Sequence, residues 1–168
     1  ALNRIGGLCI TGFNMNGIYI EGPMADGNII ARCYIGVTPD ASARAMNFKA
    51  GIWILNSALN AIGWFDTASA NIIGGNFSAG VVIGGVNARF NVVAANCIGT
   101  DFTHTINLGN EYAGVVFADG ASDNSVTGFD YPLNVVIMNN PAGGIGVAGN
   151  GTVRNFLGAG RITNNGGK

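Results

Sequence analysis

An internal repeat constrains the fold of this chain more than any other feature. When the sequence is shifted by 63 residues, glycine, asparagine, alanine and isoleucine positions meet identical residues further along the chain. The matched pairs include Gly12 with Gly75, Gly22 with Gly85, Asn28 with Asn91, Gly36 with Gly99, Asn47 with Asn110 and Gly51 with Gly114. A fixed period of this kind is typical of proteins that stack one structural unit on the next.

Two short phrases recur inside each long repeat. One runs from Gly through alternating β-branched residues, as GIYI at 17, GIWI at 51, GVVI at 80, GVVF at 114 and GIGV at 144. The other begins with Asn and continues apolar, as NII at 28 and NVV at 91. Such runs are too short for helices. The chain also has 28 Gly and only 10% charged residues, too few charged side chains for the solvent-facing sides of surface helices. Bounded by Gly and Asn, these phrases predict very short strands joined by tight turns.

Strands this short become stable when each lies on the equivalent strand of the next repeat. The spacing of the Gly phrases from 17 to 51 to 80 predicts coils of 29 to 34 residues. We therefore predict an all-β parallel β-helix, a solenoid of about five to six coils, forming one domain over residues 1–168. The recurring asparagines are expected to point inward and to form hydrogen-bonded ladders between coils. We also expect the chain to be a fragment of, or a module from, a longer protein. The alternative is end-to-end or side-by-side self-association.

Longer phrases carry a resemblance to a known family. NIIGGNFSAGVVIGG, NVVAANCIGTDFTHTINLGNEYAGVVF and GASDNSVTG resemble the repeats of secreted bacterial right-handed parallel β-helix proteins of the pectin-lyase-like superfamily. The likeness covers nearly the whole chain. It implies a right-handed single-stranded parallel β-helix and an extracellular, cell-surface or virion-surface location. It does not choose a function, since this fold serves lyases, hydrolases, epimerases, phage tailspikes and surface proteins without catalytic activity.

Charge, hydropathy and cysteine spacing exclude several partners. The net charge of −1 and the scattered Lys and Arg residues leave no basic stripe for nucleic acid. No apolar run approaches the roughly 18 to 20 residues of a membrane-spanning helix, so membrane insertion is not expected. Cys9, Cys33 and Cys97 have no CxxC spacing, which predicts buried thiols rather than a metal site, and no cofactor is indicated.

Candidate catalytic residues lie in the loop at 100–113, which contains Asp101, His104 and Glu111. The repeat places the loop at 37–50, with Asp40, Arg44 and Lys49, on the same edge two coils away. Together the loops would wall a shallow lateral groove with carboxylates for glycan cleavage. In the alternative interpretation, Asp101 caps a turn, His104 is a solvated loop residue and Glu111 keeps the edge soluble. Sequence motifs that enzymes of this superfamily use for catalysis, such as NTD, GHG, RIK and DPH, do not occur in this chain.

Aromatic residues are the candidate binding positions, because aromatic faces stack on sugar rings. They are Trp53, Trp64, Phe65 and Tyr112. In the phrase GIWI, Trp53 points outward if Ile52 and Ile54 point inward. The sequence thus favours a non-catalytic secreted or surface β-helix scaffold that binds a polysaccharide or cell-surface glycan or acts in adhesion. The alternative is a polysaccharide lyase or glycoside hydrolase, resembling a tailspike depolymerase, with a carboxylate site in the lateral groove.

Overall fold

A computed structural model describes residues 2–64, 67–128 and 135–167 of the chain. These ranges contain seventeen short β-strands and two 3-10 helices, Pro23–Ala25 and Thr67–Ser69. The strands are β1 (Arg4–Gly6), β2 (Cys9–Ile10), β3 (Ile18–Glu21), β4 (Ile29–Ala31), β5 (Tyr34–Ile35), β6 (Ile52–Leu55), β7 (Ala61–Ile62), β8 (Ile72–Ile73), β9 (Val81–Gly84), β10 (Val92–Ala94), β11 (Cys97–Ile98), β12 (Ala113–Ala118), β13 (Ser125–Thr127), β14 (Val135–Met138), β15 (Gly143–Val147), β16 (Phe156–Gly158) and β17 (Gly160–Thr163).

Every third strand pairs in parallel, which makes three sheets. Sheet A contains β1, β4, β7, β10, β13 and β16, sheet B contains β2, β5, β8, β11, β14 and β17, and sheet C contains β3, β6, β9, β12 and β15. Each coil therefore contributes one strand to each sheet. The predicted parallel β-helix is confirmed, with five three-strand coils and two strands of a sixth among the described residues.

Strand register explains why the sequence repeats every second coil. In sheet B, Cys9 pairs with Tyr34 and Ile72 with Cys97, whereas Tyr34 pairs with Ile72 across a much longer stretch of chain. The longer stretch includes the loop at 36–51, and its counterpart at 99–112 lies in the fourth coil. Because the long loops occur in alternate coils, the sequence period covers two turns of the solenoid.

Inward-facing aliphatic side chains form one continuous core. Along β6 the burial alternates, so that Ile52 and Ile54 are fully buried while the residues between and after them are partly exposed. Ile30, Ile62 and Val93 stack in the same way from sheet A, at about 1.5 to 3 kcal/mol for each fully buried side chain. The core holds the coils together, and the outward positions are free to vary.

Asparagine ladders run along the solenoid, as the sequence predicts. In each rung the Nδ2 of one asparagine donates to the Oδ1 of the next, at 2.7 to 2.9 Å. The first ladder is Asn3, Asn28, Asn60, Asn91, Asn124 and Asn155; the second is Asn47, Asn76, Asn110, Asn140 and Asn165; the third is Asn71 and Asn96. The ladders satisfy buried backbone groups where strands end in turns.

The three cysteines differ in exposure. Cys33 and Cys97 are buried free thiols, whereas Cys9 is exposed, so the expectation of buried cysteines was wrong for Cys9. Cys9 lies on β2 in the first coil, where fewer neighbours cover the strand than in the middle of the stack. Across the described ranges, no helix is both long and apolar enough to cross a membrane.

Candidate functional site

The loops at 36–51 and 99–112 fold in the same way. Each forms a small antiparallel bridge, Val37 with Arg44 in the first loop and Thr100 with Asn107 in the second. His104 occupies the place of Ala41, and both have a positive φ, of 60° and 52°. The two loops therefore share one backbone conformation and differ in the side chains that they carry.

Asp101 organises the loop at 99–112. Its carboxylate accepts hydrogen bonds from the backbone N–H groups of Thr103, Thr105 and Ile106 at 2.8 to 2.9 Å, and from the Thr103 hydroxyl. Burial would raise the pKa of Asp101, but the hydrogen bonds from Thr103, Ile106 and Thr105 outweigh it, and the pKa lies well below its ordinary value. The carboxylate is thus held ionised by its own loop, which is the geometry of a turn cap.

His104 contacts a buried thiol. Its Nε2 atom lies 3.7 Å from the Sγ atom of Cys97. Burial, and then the nearby charge of Asp101, raise the pKa of Cys97 to about 12. Since the thiolate is the nucleophilic form, this environment does not activate Cys97 as a nucleophile.

Glu111 joins the two loops. Its carboxylate forms an ion pair with the guanidinium group of Arg44, and both side chains are partly exposed. The turn at Gly74 and Gly75 lies between the loops, since the N–H of Gly75 donates to the carbonyl of Leu108 at 2.7 Å and a Cβ on Gly75 would meet Arg44. The loops therefore pack on the third coil, and the space predicted as a groove contains the Arg44–Glu111 ion pair.

A second small core lies beneath these loops. It is formed by Val37, Ala41, Ile72, Cys97 and Leu108. Apolar packing, the ion pair and the capped turn together make the loop pair a rigid part of the scaffold. Among the described residues, no cluster of three or more His, Cys, Asp or Glu side chains could hold a metal ion.

Trp53 lies on the outer face of sheet C, because Ile52 and Ile54 point into the core. Its register partner in the preceding coil is Tyr19, and the two rings meet edge to face with centroids 6.2 Å apart. They line a cavity of about 460 Å³ together with Met15, Asn16, Lys49 and Leu55. We call this cavity the aromatic cleft.

One polar atom in the aromatic cleft lacks a partner. The indole Nε1 of Trp53 is buried and makes no hydrogen bond to any residue that the structure describes. A buried donor left unsatisfied costs about 1 to 3 kcal/mol, so such atoms are rare. Lys49 and Asn16 supply further polar groups at the wall of the same cavity.

The other predicted aromatic positions are separate from the aromatic cleft. Trp64 is 41% exposed and lines a smaller cavity with Leu59 and Phe90 on the outer side of sheet A. Tyr112 is 56% exposed. The backbone N–H of Tyr112 donates a hydrogen bond to the carbonyl of Ser78 in the third coil. Phe65 lies outside the described residues.

Sequence reasoning missed Tyr19, Asn16 and Met15 as members of this site. Tyr19 was detectable, because it holds the same place in GIYI at 17 as Trp53 holds in GIWI at 51. Asn16 and Met15 carry no local signal, since they lie in a turn and reach the cavity only through the stacking of the first coil on the second.

Comparison of the chain with protein-family models, curated proteins and solved structures found no match in any of the three.

Proposed function

We propose that this protein is a non-catalytic β-helix scaffold that binds carbohydrate in the aromatic cleft. The observation that carries the proposal is the pair of aromatic rings, Tyr19 and Trp53, that lines a cavity of about 460 Å³ on the outer face of sheet C. A sugar ring has an apolar face that packs on aromatic carbon and a rim of hydroxyl groups that accept and donate hydrogen bonds. The Nε1 of Trp53 is buried in the free protein, so a small rotation of the indole on binding would bring it to a hydroxyl oxygen and recover the free energy that burial of the unpaired N–H costs.

Two polar side chains fit the same ligand. The Oδ1 of Asn16 accepts from the backbone N–H of Ala50 at 3.1 Å, which holds the side chain in place, and no described residue accepts from its Nδ2. Lys49 is exposed and forms no ion pair within the part of the chain that the structure describes. Both can therefore bind hydroxyl groups without breaking an existing interaction.

The scaffold itself supports this role. The outward-facing aromatic residues of this column of sheet C are specific to the first two coils, since the register of Tyr19 and Trp53 continues into Val82, Val116 and Gly146. The stack does not need aromatic side chains there, and their presence supports the proposal of a ligand site. Membership of the pectin-lyase-like superfamily and an extracellular, cell-surface or virion-surface location belong to the proposal, supported by the three-sheet coil and the quoted repeats.

Binding is favoured over cleavage by the state of the candidate carboxylates. The Asp101 carboxylate accepts hydrogen bonds from its own loop, and the Glu111 carboxylate pairs with Arg44. Neither can act as an acid or a base without losing an interaction that holds the loops. A lyase or hydrolase would release unsaturated products or new reducing ends, and this product assay separates the two functions.

The test is titration by tryptophan fluorescence and calorimetry with cello-, xylo-, manno- and chito-oligosaccharides. Trp53→Phe keeps a ring but removes the N–H, and we expect about 5- to 10-fold weaker binding for a hydrogen bond of about 1 to 1.5 kcal/mol. Trp53→Ala should remove binding, and Trp64→Phe, which changes the other tryptophan, should leave it intact. Unchanged binding by Trp53→Ala, or cleavage of any of these glycans, would overturn the proposal.

A further inference from the structure

A second cavity, of about 680 Å³, lies at the corner between sheets A and B. Its wall contains Arg4 and Gly6 of β1, Ala31 of β4, Tyr34 of β5, the turn residues Gly7 and Arg32, Ala68 and Ala70 before β8, and Phe102 of the loop at 99–112. None of these residues lines the aromatic cleft. We call this cavity the arginine cavity.

The side chains that distinguish the arginine cavity are not required by the stack. Arg4 is in register with Ile29, and that column continues into Ala61 and Val92. An arginine at this place is therefore particular to the first coil.

Tyr34 is likewise particular to its coil. Its partners in sheet B are Cys9 and Ile72, and the next strand carries Cys97. Phe102 occupies the place where the preceding copy of the loop has Pro39. Three coil-specific side chains, from three different coils, line one cavity.

Arg32 stands at a backbone position that favours small residues. Its φ is +60°, and the corresponding turns after β1, β10 and β16 carry Gly7, Ala95 and Ala159, also at positive φ. A left-handed conformation costs a side-chain-bearing residue about 1 to 2 kcal/mol. The turn does not require an arginine, since Gly and Ala occupy the equivalent positions.

The charge of the arginine cavity is uncompensated within the described residues. No Asp or Glu is among its described lining residues, and neither Arg4 nor Arg32 forms an ion pair in the described part of the chain. Guanidinium groups match the planar fork of carboxylate, sulfate and phosphate oxygens and bind them through paired hydrogen bonds. Two such groups at one cavity therefore favour an oxyanion.

The remaining walls suit a ring. Tyr34 and Phe102 meet edge to face with ring centroids 6.3 Å apart. Gly6, Gly7 and Ala31 are small residues of the cavity wall, and the cavity volume is within the range of small-molecule sites. We propose that the arginine cavity binds a sugar residue that carries a carboxylate or sulfate group. Arg4 and Arg32 bind the oxyanion, and the sugar ring packs on Tyr34 and Phe102.

This inference goes beyond the proposed function, because it assigns a second site with a different ligand charge. Three polymers with one backbone provide matched probes, namely dextran, carboxymethyl-dextran and dextran sulfate at physiological ionic strength. We expect the charged polymers to bind and dextran to fail at this site, and the comparison of the two charged polymers identifies which oxyanion is preferred. Trp53→Ala should keep this binding, so that failure of the aromatic cleft and failure of the arginine cavity are distinguishable.

Variants assign the binding to the cavity. Arg4→Gln should weaken it roughly 10- to 100-fold, since a charge-assisted hydrogen bond contributes about 1.5 to 3 kcal/mol. Arg32→Gly should weaken it similarly, and it removes the strained φ, so that loss of binding is not explained by misfolding. Arg161→Gln removes the same charge from β17 and should have little effect. Equal losses in Arg161→Gln and Arg4→Gln, unchanged binding by Arg32→Gly, or equal binding of dextran would each overturn the inference.

Discussion

Replacing Asn91 by alanine should destabilise the protein more than replacing a ladder asparagine near an end of the stack. Asn91 is 1% exposed and lies in the middle of the first ladder. Its Oδ1 accepts from the backbone N–H and the Nδ2 of Asn60 at 2.9 and 2.8 Å. Its Nδ2 donates to the carbonyl of Ser57 at 3.0 Å and to the Oδ1 of Asn124 at 2.9 Å.

The magnitude follows from the groups that lose a partner. Alanine leaves the backbone N–H of Asn60 and the carbonyl of Ser57 without the partners described above, and removes one of the two acceptors of the Asn60 Nδ2. At about 1 to 3 kcal/mol for each unsatisfied buried group, the loss is roughly 3 to 6 kcal/mol. Since domains are stable by only about 5 to 15 kcal/mol, this is a large part of the total.

Asn155→Ala is the matched control. Asn155 makes three of the same four bonds, accepting from the N–H and Nδ2 of Asn124 and donating to the carbonyl of Ala121, but it is partly exposed in the last described coil. Water can replace its bonds, so we expect a loss of about 1 kcal/mol. Urea unfolding followed by circular dichroism measures both variants. Equal losses in the two, or a loss below about 1 kcal/mol for Asn91→Ala, would refute the reasoning that buried ladder bonds hold the coils.

Three further predictions concern particular residues. Because the pKa of Asp101 is lowered in the fold, its ionised form stabilises the protein above the unfolded pKa of about 3.9, and this stabilisation is lost as pH falls through the folded pKa. The difference in urea-unfolding free energy between the protein and Asp101→Asn should therefore shrink from pH 5 to pH 2. A difference that stays constant over this range would contradict the prediction. Gly99→Ala should lower the melting temperature, because φ is +81° and a Cβ would overlap the carbonyl of Met138, whereas an unchanged melting temperature would show that the turn relaxes freely. At pH 8, exposed Cys9 should react quickly with a thiol reagent and Cys97, whose pKa burial and Asp101 raise to about 12, only after unfolding; equal rates in the native protein would be inconsistent with that burial.

The fold was predictable because its signal is local and repeated. Gly and Asn turns, alternating Ile and Val, and a fixed period occur in every coil, so each copy reinforces the same interpretation. The outward direction of Trp53 was predictable for the same reason, since strand alternation decides it once Ile52 and Ile54 are assigned to the core. The aromatic cleft was predictable only in part, because Asn16 and Met15 have no pattern of their own.

The loop contacts depend on geometry that the pattern does not contain. Asp101, His104 and Glu111 were grouped as one candidate site because they are close in sequence. In the structure Asp101 bonds to its own loop, His104 contacts Cys97, and Glu111 pairs with Arg44 from the loop two coils away. Closeness in sequence does not determine which side chains meet, because a turn directs successive residues to different neighbours.

The sequence by itself determined that the chain stacks into a β-helix, because strands this short can bury their apolar sides only against copies of themselves. It also determined the ladders, since Asn recurs at one turn position per coil. Only the tertiary structure decided that Trp53 meets Tyr19 and that Arg4 and Arg32 share a cavity with Phe102. Such lateral contacts depend on the register between coils and on how each loop packs, and both are set by the whole stack rather than by any local run of residues.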